Sequence, residues 1–519
     1  MAVSVVLGAT AFIPASPALA EDAPVVRSTD VVSFDGTPIH VNFMRAENLT
    51  PGKKVPTVLF GPGYSHPGWS DPDRATDEST GEPGTGDLRK AGYNVVTWDP
   101  RGFGGSGGES KFNDVAYEGR DVQAIIDYVA TQPEVMLDKA GDPRLGMAGG
   151  SYGGNIQLVA AALDSRIDVI SPAFTWNNMH DVIYQDGALK LSLATVLCAF
   201  VTVNGTTGVS VTQDEYDGVG SDIQGASIEM QRICTEGIAT GKLSPDLEDW
   251  LSTRGAIEVM SRVKVPTLFQ YGTTDAAIPL NQGVRNYNAI KANGVPVKMV
   301  WFCGGHNPCN TTAGPARVKT TLLNWFARHL DKHPAISTGP GFEWVDQNGI
   351  YRGASAYPLK KVGTLAALGG GLLPITTINT LTAGVTEAAP SAGGLHLPLP
   401  TATGTMTGEP VLTMTYTGNA LLLSPKETHV YAQVIDKDRG TVIGKLATPI
   451  PVLLDGQPHV ITRPLETLGY TLTPETHLEV QIIAGSGGYA PQSAAGTLAV
   501  GQAKVDFPLT VSGTTIENR

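Results

Sequence analysis

Short apolar runs alternate with amphipathic stretches in the first third of the chain. These runs predict strands at residues 39–43, 56–60, 93–98, 144–148 and 168–171. Between them, residues 118–131 place branched apolar side chains at positions 122, 125, 126 and 129, which is the spacing of one helix face. Because alternating strands and helices are typical of βαβ units, this region is predicted to form a mostly parallel sheet covered by helices.

The strand pattern fades after residue 175 and resumes near residue 256. The intervening residues 176–255 are acidic and broken by glycines, which favours an inserted helical cap. Beyond the cap, strands are predicted at residues 265–271 and 297–302, and helices at residues 283–293 and 316–330. We therefore expect residues 28–175 and 256–335 to form one core domain that is interrupted by the cap.

The last third of the chain has a different pattern. It is rich in Thr, Val, Leu, Gly and Pro, and apolar and polar residues alternate at residues 428–434, 478–483 and 498–505. Short alternating strands bounded by turn residues predict a β-sandwich or jelly-roll domain over residues 340–519. Within it, residues 366–400 are rich in Gly, Thr and Ala and are predicted to be a loose connection.

The N-terminal residues resemble an export signal. An apolar stretch is followed by the small-residue ending Ala18-Leu19-Ala20, so residues 1–20 are predicted to be a signal peptide cleaved before Glu21. No Lys or Arg precedes the apolar stretch, which leaves open a start upstream of Met1. The expected location is secreted, extracellular or in the cell envelope, and no other apolar run reaches the roughly 18 residues that a membrane span needs.

Charge narrows the choice of partners. The net charge is -13 and only 16% of the residues are charged, so the chain offers no basic stripe for phosphates. Nucleic acid and anionic membrane surfaces are therefore not expected as partners. The expected partner is a small-molecule ester, amide or short peptide substrate, and the oligomeric state stays open.

Four cysteines, Cys198, Cys234, Cys303 and Cys309, allow three disulfide pairings in an oxidising compartment. Proximity in the sequence favours Cys198 with Cys234 and Cys303 with Cys309. A zinc site is the alternative, because Cys303, His306 and Cys309 are spaced C-x-x-H-x-x-C. Since no fourth ligand lies close by in the sequence, we expect disulfides and no metal.

A glycine-flanked serine provides the strongest chemical signal. Gly149-x-Ser151-x-Gly153 follows the predicted strand at residues 144–148 and precedes a predicted helix at residues 155–163, which is the context of a nucleophile elbow. In the α/β-hydrolase class the acid and then the histidine follow the serine along the chain, each at a strand end. Asp275 follows the strand ending at residue 271, and His306 follows the strand ending at residue 302.

These three residues predict a catalytic triad. His306 would take the proton of Ser151 as the hydroxyl attacks an acyl carbon, while Asp275 orients the imidazole. The oxyanion would accept hydrogen bonds from the backbone N–H of Tyr152 and, in the loop after an early strand, from the hydroxyl of Tyr64.

The chain resembles the X-prolyl dipeptidyl-peptidase and cocaine-esterase family of serine hydrolases. The resemblance rests on the Ser151-Tyr152 pair, on Tyr64, on the run from Asp99 to Gly107 and on the β-rich last third. It implies an α/β-hydrolase core with a mostly parallel sheet, a helical cap and a C-terminal jelly roll, with Tyr64 and Tyr152 at the oxyanion. Members of this family include dipeptidases that cut after proline, acyl esterases and relatives that act on acylated antibiotics.

The sequence departs from the family in two places. Gly153-Gly154 stands where many relatives have a bulky residue after the elbow, and the cysteines around His306 are not a general family trait. Both departures affect residues next to the predicted triad, so we expect a reshaped pocket.

A second glycine motif needs a separate interpretation. Gly102-x-Gly104-x-x-Gly107 follows a strand and matches the dinucleotide fingerprint, but no helix opens at Gly107 and no acidic residue ends a second strand about 20 residues on. No nucleotide or other cofactor is expected. Asp99 precedes Ser151 in the chain and is predicted to organise this loop rather than the histidine.

Polar and aromatic residues near the start of the cap are candidates for substrate binding. Trp176, His180 and Asp181 are predicted to line the pocket, although an ordinary solvated helix face explains the same pattern. For a peptide substrate, Asp181 or Asp186 would bind the free ammonium group.

The sequence thus predicts a secreted serine hydrolase that cleaves acyl esters or Xaa-Pro dipeptidyl peptides through an acyl-enzyme intermediate. The alternative is a non-catalytic protein that binds a glycan or polymer through its C-terminal domain and retains a relic hydrolase core.

Overall fold

The structure is a computed structural model that describes residues 24–207, 225–309, 317–376, 387–492 and 494–516. For residues 201–207 only the backbone is described. The predicted signal peptide at residues 1–20 lies outside the described residues.

The N-terminal part builds a sheet from short buried strands joined by helices. In chain order it comprises β1 (Val26–Val32), β2 (Pro38–Met44), β3 (Thr57–Phe60), α1 (Thr85–Lys90), β4 (Asn94–Trp98), α2 (Glu118–Ala130), β5 (Leu137–Lys139), β6 (Asp142–Pro143), β7 (Leu145–Gly150), α3 (Ser151–Leu163) and β8 (Ile167–Ala173).

A mainly helical insertion follows β8, and the sheet then resumes. The insertion comprises α4 (Met179–Ile183), the short hairpin β9 (Tyr184–Gln185) and β10 (Ala188–Leu189), α5 (Leu191–Thr207), α6 (Ile228–Arg232), a π-helical turn (Ile233–Gly237), α7 (Ile238–Thr240) and α8 (Pro245–Ser252). The sheet continues after a 3₁₀ turn (Met260–Arg262) with β11 (Thr267–Gly272), α9 (Leu280–Ala292), β12 (Val297–Phe302), α10 (Arg317–His329), β13 (Phe342–Val345) and β14 (Tyr351–Ala354).

The C-terminal part consists almost entirely of strands. They are β15 (Lys361–Ile375), β16 (Leu395–Pro398), β17 (Gly404–Gly408), β18 (Val411–Ala420), β19 (Glu427–Asp436), β20 (Thr441–Val442), a 3₁₀ turn (Ile443–Lys445), β21 (Thr448–Leu453), β22 (Asp455–Pro464), β23 (Leu468–Leu472), β24 (Leu478–Ile483), β25 (Gly496–Thr510) and β26 (Thr514–Thr515).

One large mixed sheet carries the core. Its strand order is β1-β2-β4-β3-β7-β8-β11-β12-β13-β14-β26, and the run from β4 to β13 is parallel. Helices α2, α3 and α9 pack on one face, while α1 and α10 pack on the other. This is an α/β-hydrolase core, and the carboxyl ends of its parallel strands meet at one edge, where ligand sites form in open α/β sheets.

The structure differs from the domain boundary predicted at residue 340. β13 pairs in parallel with β12, and β14 and β26 extend the same sheet, so residues 342–354 belong to the core. β13 is short and contains the charged residue Glu343, so the hydrophobic pattern of the sequence does not predict a strand there. Glu343 is nevertheless buried in the sheet because it pairs with Lys298 and Arg317.

The C-terminal strands form two antiparallel sheets. One contains β15, β17, β18, β22, β23 and β25, and the other contains β16, β19, β20, β21 and β24. Apolar side chains from both sheets share one buried cluster, for example Met414 and Val480. The arrangement is a sandwich of two sheets, whereas the strand connectivity of a jelly roll stays a prediction.

The predicted loose connection at residues 366–400 is wrong in its first part. Residues up to Ile375 belong to β15, which pairs with β25. Gly369, Gly370 and Gly371 break the alternating pattern, and the pairing register shifts between Gly369 and Gly371. This glycine run therefore marks a bulge within a strand rather than a loop.

Both disulfides form with the pairing that the sequence favours. Cys198 bonds Cys234 within the cap, and Cys303 bonds Cys309 in the loop after β12. The zinc alternative fails because both sulfurs near His306 are used in the disulfide. Nowhere in the described residues do three metal-ligating side chains cluster.

Within the described ranges, every helix is too short or too polar to cross a membrane.

Candidate active site

Ser151 occupies the sharp turn between β7 and α3. Its φ angle is 53°, a left-handed value that costs free energy for a non-glycine residue. The neighbouring glycines make this turn possible: Gly149 has a φ of 131°, and a Cβ atom on Gly153 would lie 2.0 Å from the carbonyl oxygen of Gly61. The elbow therefore packs directly on the backbone of the loop after β3.

Ser151, His306 and Asp275 form an unbroken hydrogen-bonded chain. The Ser151 Oγ lies 2.9 Å from the His306 Nε2, and the His306 Nδ1 lies 2.8 Å from the Asp275 Oδ2. With the proton on Nδ1, the imidazole donates to the carboxylate and leaves Nε2 free to accept the serine proton. This is the geometry of a Ser-His-Asp triad.

The Asp275 carboxylate is fixed by its own loop. Its side chain is fully buried, and its Oδ1 accepts hydrogen bonds of 2.9 Å from the N–H groups of both Ala277 and Ile278. The other oxygen is thereby directed at the imidazole. A buried carboxylate requires such donors because it has lost its hydration.

Several contacts hold the loop that carries His306. The Cys303–Cys309 disulfide closes the loop, and the Asn307 Oδ1 accepts a 2.7 Å hydrogen bond from the Ala276 N–H in the Asp275 loop. The ring of Phe174 meets the imidazole edge-on at 5.2 Å between centroids. Together these contacts position a histidine whose side chain is still 25% exposed.

Tyr64 and Tyr152 lie beside Ser151. The Tyr64 ring packs among Phe103, Phe112 and Tyr152, and its buried hydroxyl has no hydrogen-bond partner in the described residues. Burial, with a smaller effect from Glu118, raises the pKa of this phenol above its ordinary value, so the hydroxyl keeps its proton. A buried donor without a partner is available to a ligand oxygen.

Tyr152 uses its side chain and its backbone for different purposes. Its hydroxyl lies 3.2 Å from both the Ser110 Oγ and the Glu118 Oε1, which anchors the ring away from the serine. Its backbone N–H belongs to the first turn of α3, where N–H groups have no acceptor within the helix.

A pocket of about 350 Å³ opens over Ser151. It is enclosed by the loops after the parallel strands and by the cap helices α4 and α5. Its walls are mainly apolar and include Phe60, Trp69, Phe112, Phe174, Trp176, Met179, Val182, Leu193, Val196, Leu197, Phe200 and Ile278.

A smaller polar group lies in the same pocket wall and consists of His66, Asp77, Thr80 and Glu82. Asp77 is occupied within its own turn, where its Oδ1 accepts from the N–H groups of Ser79 and Thr80. Glu82 differs, because no hydrogen bond joins its carboxyl to another described residue. Burial and then the nearby Asp77 raise the pKa of Glu82 to about 8.

The structure distributes the predicted substrate-binding residues differently from the sequence analysis. Trp176 lines the pocket, but His180 and Asp181 do not. Helix α4 presents Met179 and Val182 to the pocket, so its intervening residues face away. His180 lies 3.3 Å from the Glu248 carboxylate and Asp181 pairs with Arg285.

The carboxylate expected to meet a substrate ammonium is likewise misassigned. Neither Asp181 nor Asp186 lines the pocket; Asp186 lies in the β9–β10 turn, 3.8 Å from the Arg463 Nε. The carboxylates that do line the pocket are Asp77 and Glu82, next to His66. They lie in an irregular loop between β3 and α1, where no hydrophobic periodicity pointed to them.

Asp99 has the organising role that its position predicts. It is fully buried and accepts hydrogen bonds from the N–H groups of Gly68 (2.7 Å) and Gly105 (2.6 Å). It thereby joins the loop that carries Tyr64 to the glycine-rich turn. Burial raises the pKa of Asp99 to about 6.

Comparison with known proteins gives a family match. A family model described as X-Pro dipeptidyl-peptidase (S15 family) matches residues 35–308, which is more than half of the chain. Among curated proteins, the acylamino-acid-releasing enzymes of Rattus norvegicus and Arabidopsis thaliana are 27% identical over 88 residues and 32% identical over 73 residues. These matches cover 17% and 14% of this chain and only 12% and 10% of the relatives, so the chain spans about a tenth of their length.

Solved structures resemble the whole chain. A CocE/NonD family hydrolase from Staphylococcus aureus has a TM-score of 0.61 at 14% identity, with 96% of this chain and 99% of that chain covered. An alpha-amino acid ester hydrolase has a TM-score of 0.64 at 15% identity, covering 96% and 100%. An aminopeptidase from a marine sediment archaeon of the Thaumarchaeota has a TM-score of 0.64 at 12% identity, covering 98% and 99%. At these identities the likeness establishes the fold.

The packing of the elbow on Gly61 can be tested with Gly153→Ala. The added methyl group would overlap the Gly61 carbonyl, so the turn must shift and Ser151 moves away from His306. We expect the rate of labelling by a fluorophosphonate probe to fall by about a hundredfold or more, as misplaced catalytic groups lose rate steeply. Gly393→Ala is the matched control, since a methyl group at that position would have no neighbouring atom within 4 Å. Equal labelling of the two variants would contradict the proposed packing.

Proposed function

The chain belongs to the X-Pro dipeptidyl-peptidase (S15) family and is a serine hydrolase, and on that premise we propose that Ser151, His306 and Asp275 hydrolyse the ester or amide bond of a small acyl substrate. The supporting observation is the continuous hydrogen-bonded chain through these three residues beneath the pocket. The reaction passes through an acyl-enzyme intermediate.

The chemistry follows from the donors and acceptors. His306 takes the proton of the Ser151 hydroxyl through Nε2 while the Oγ bonds the carbonyl carbon of the substrate. Asp275 stabilises the resulting imidazolium and stays ionised. The imidazolium then gives its proton to the leaving alcohol or amine, and a water molecule repeats the sequence on the acyl-enzyme.

The oxyanion of each tetrahedral intermediate needs donors that are already in place. We assign these to the Tyr152 N–H, at the start of α3, and to the Tyr64 hydroxyl, which also lines the pocket. The unpartnered, buried state of the Tyr64 hydroxyl supports this role, because binding a charged oxygen satisfies the donor without breaking an existing bond.

The pocket supports a compact acyl group with one polar end. Its apolar walls favour a hydrocarbon or proline ring, and Glu82 in the pocket wall offers a carboxyl to a hydroxyl or ammonium group. Both an acyl ester and a Xaa-Pro dipeptidyl peptide satisfy these requirements. In the second case Glu82 replaces Asp181 and Asp186 as the residue that meets the free amino group.

The proposed reaction predicts that Ser151→Ala abolishes both fluorophosphonate labelling and turnover. Tyr64→Phe should retain labelling, but its kcat should fall by roughly 10²–10³-fold, which is the usual effect of one lost oxyanion donor. Tyr117→Phe, which removes an exposed hydroxyl remote from the pocket, should behave like the parent enzyme. A p-nitrophenyl ester and a Xaa-Pro-p-nitroanilide are compared as substrates.

Each outcome separates the alternatives. Hydrolysis of the ester alone would exclude the peptidase activity. A folded parent enzyme that neither labels nor turns over any activated ester would favour the non-catalytic, glycan-binding alternative. Full activity in Tyr64→Phe would remove Tyr64 from the oxyanion site.

The role of Glu82 predicts a pH dependence. Because the pKa of Glu82 is raised to about 8, the carboxyl is mostly protonated at pH 7 and mostly ionised at pH 9. A competitive inhibitor that carries a fixed trimethylammonium group should therefore bind about tenfold more tightly at pH 9 than at pH 7, in proportion to the ionised fraction.

The neutral tert-butyl analogue of the inhibitor is the matched ligand, and its inhibition constant should change little over this range. In Glu82→Gln the difference between the two ligands should be lost. The same pH dependence in Glu82→Gln and in the parent would contradict the role of Glu82 as the group that binds the cation.

We also propose that the protein is exported. Its two disulfides support this, because such bonds persist mainly in oxidising compartments. N-terminal sequencing of the protein recovered outside the cytoplasm would support the proposal if it begins at Glu21. Recovery only from the cytoplasm would contradict it.

A further inference from the structure

A buried lysine of the cap reaches the loop of the predicted catalytic acid. Lys190 lies between β10 and α5 and is only 3% exposed. Its backbone N–H donates a 2.8 Å hydrogen bond to the carbonyl of Ile183, which fixes it within the cap. Its Nζ lies 3.3 Å from the carbonyl oxygen of Ala277 and 3.5 Å from that of Ala276.

The same two peptide groups contact Asp275 on their other side. The Ala276 carbonyl shares a peptide group with the Ala277 N–H, and the Ala277 carbonyl shares one with the Ile278 N–H. Both N–H groups donate to the Asp275 Oδ1 at 2.9 Å. Two peptide groups therefore bridge the lysine ammonium and the aspartate carboxylate, each accepting from the first and donating to the second.

We propose that Lys190 is a positioning residue for Asp275, acting through the two peptide groups that bridge them. The inference rests on the proposed triad. An ammonium at the carbonyl end polarises each peptide group and strengthens the hydrogen bond that its N–H donates. The Oδ1 of Asp275 is thereby held, and the Oδ2 stays directed at the His306 Nδ1.

The contact of Lys190 with the Asp275 loop is important because the Asp275 carboxylate is buried. Asp275 has no exposed side-chain surface, so water does not stabilise its charge. The peptide groups are neutral dipoles, whereas the protonated Lys190 side chain places a positive charge beside the same loop. Hydrogen bonds that involve an ionised group are roughly twice as strong as neutral ones.

The charged groups around Lys190 come from each part of the protein. Asp275 belongs to the core and Glu466 to the C-terminal sandwich. Burial lowers the pKa of Lys190, while Glu466 and then Asp275 act in the opposite direction. Burial raises the pKa of Glu466 to about 7, and the charges of Lys190, Glu409 and Arg285 have further effects on this pKa. The cap thus has two roles: its helices enclose the pocket, and its Lys190 side chain positions Asp275.

The test is Lys190→Met, which keeps an unbranched side chain one atom shorter than lysine and removes its charge. We expect kcat for a p-nitrophenyl ester to fall by roughly tenfold to a hundredfold with KM within about twofold, a smaller loss than the ~10⁴-fold effect of disabling the aspartate itself in a triad. The downfield NMR resonance of the His306 Nδ1 proton should move upfield, because its hydrogen bond to Asp275 weakens. Lys190→Arg, which restores the charge, should recover most of the loss.

Lys298→Met is the matched control, because Lys298 is also buried but pairs with Glu343 at the far end of β12. It should leave kcat per labelled active site and the downfield resonance unchanged. If Lys190→Met does not fold, Lys190→Gln replaces it, with the same resonance expected to shift.

The inference is overturned if kcat per labelled site stays within about twofold of the parent, or if kcat falls while the downfield resonance is unmoved. Ser151→Ala is measured alongside. Residual turnover in that variant would contradict the proposed nucleophile, whereas a normal result there with an unaffected Lys190→Met would contradict only the role of Lys190.

Discussion

The turn after β7 lies directly on the loop after β3, backbone against backbone. Gly153 and Gly149 approach Gly61 so closely that a methyl group on either would meet its carbonyl oxygen at 2.0 or 2.5 Å. The contact brings the left-handed Ser151 next to the loop that carries Tyr64. Because β3 and β7 are adjacent parallel strands, the sheet itself delivers the two loops to the same edge. The proposed nucleophile, Ser151, and the loop that carries the proposed oxyanion donor, Tyr64, are thus brought together because these glycines have no side chains.

Most of the buried carboxylates described above are stabilised in the same way, by donors that the fold holds in place. Asp275, Asp99 and Glu343 all lie inside the protein, and each carboxylate is met by fixed donors: N–H groups for the first two, and Lys298 and Arg317 for the third. Glu82 is the exception, since its carboxyl lines a cavity without such a donor among the described residues. A carboxyl in that state takes up a proton or a cationic ligand, and burial raises the pKa of Glu82 to about 8.

Much of the core follows from local patterns in the sequence. The central strands are short, apolar and followed by turn residues, so β2, β3, β4, β7, β8, β11 and β12 are recognisable. The glycine-flanked motif selects Ser151, and chain order then selects Asp275 and His306. What the patterns miss are features decided by tertiary contacts. β13 contains a charged residue that becomes acceptable only beside Lys298, and β15 contains a glycine run that becomes a bulge only beside β25. His180 and Asp181 are adjacent to the right helix face but not on it, and Glu82 lies in a loop without periodicity.

The antiparallel pairing of β26 with β14 has a mechanical consequence. The chain leaves the large sheet after β14, builds the two-sheet sandwich and then returns to pair Thr514 and Thr515 with the same strand. A body joined to its neighbour by a single linker can rotate about it, whereas one held at two nearby points of the same sheet has lost that hinge. The sandwich is therefore tethered to the large sheet at both of its ends, which restricts its rotation relative to the core.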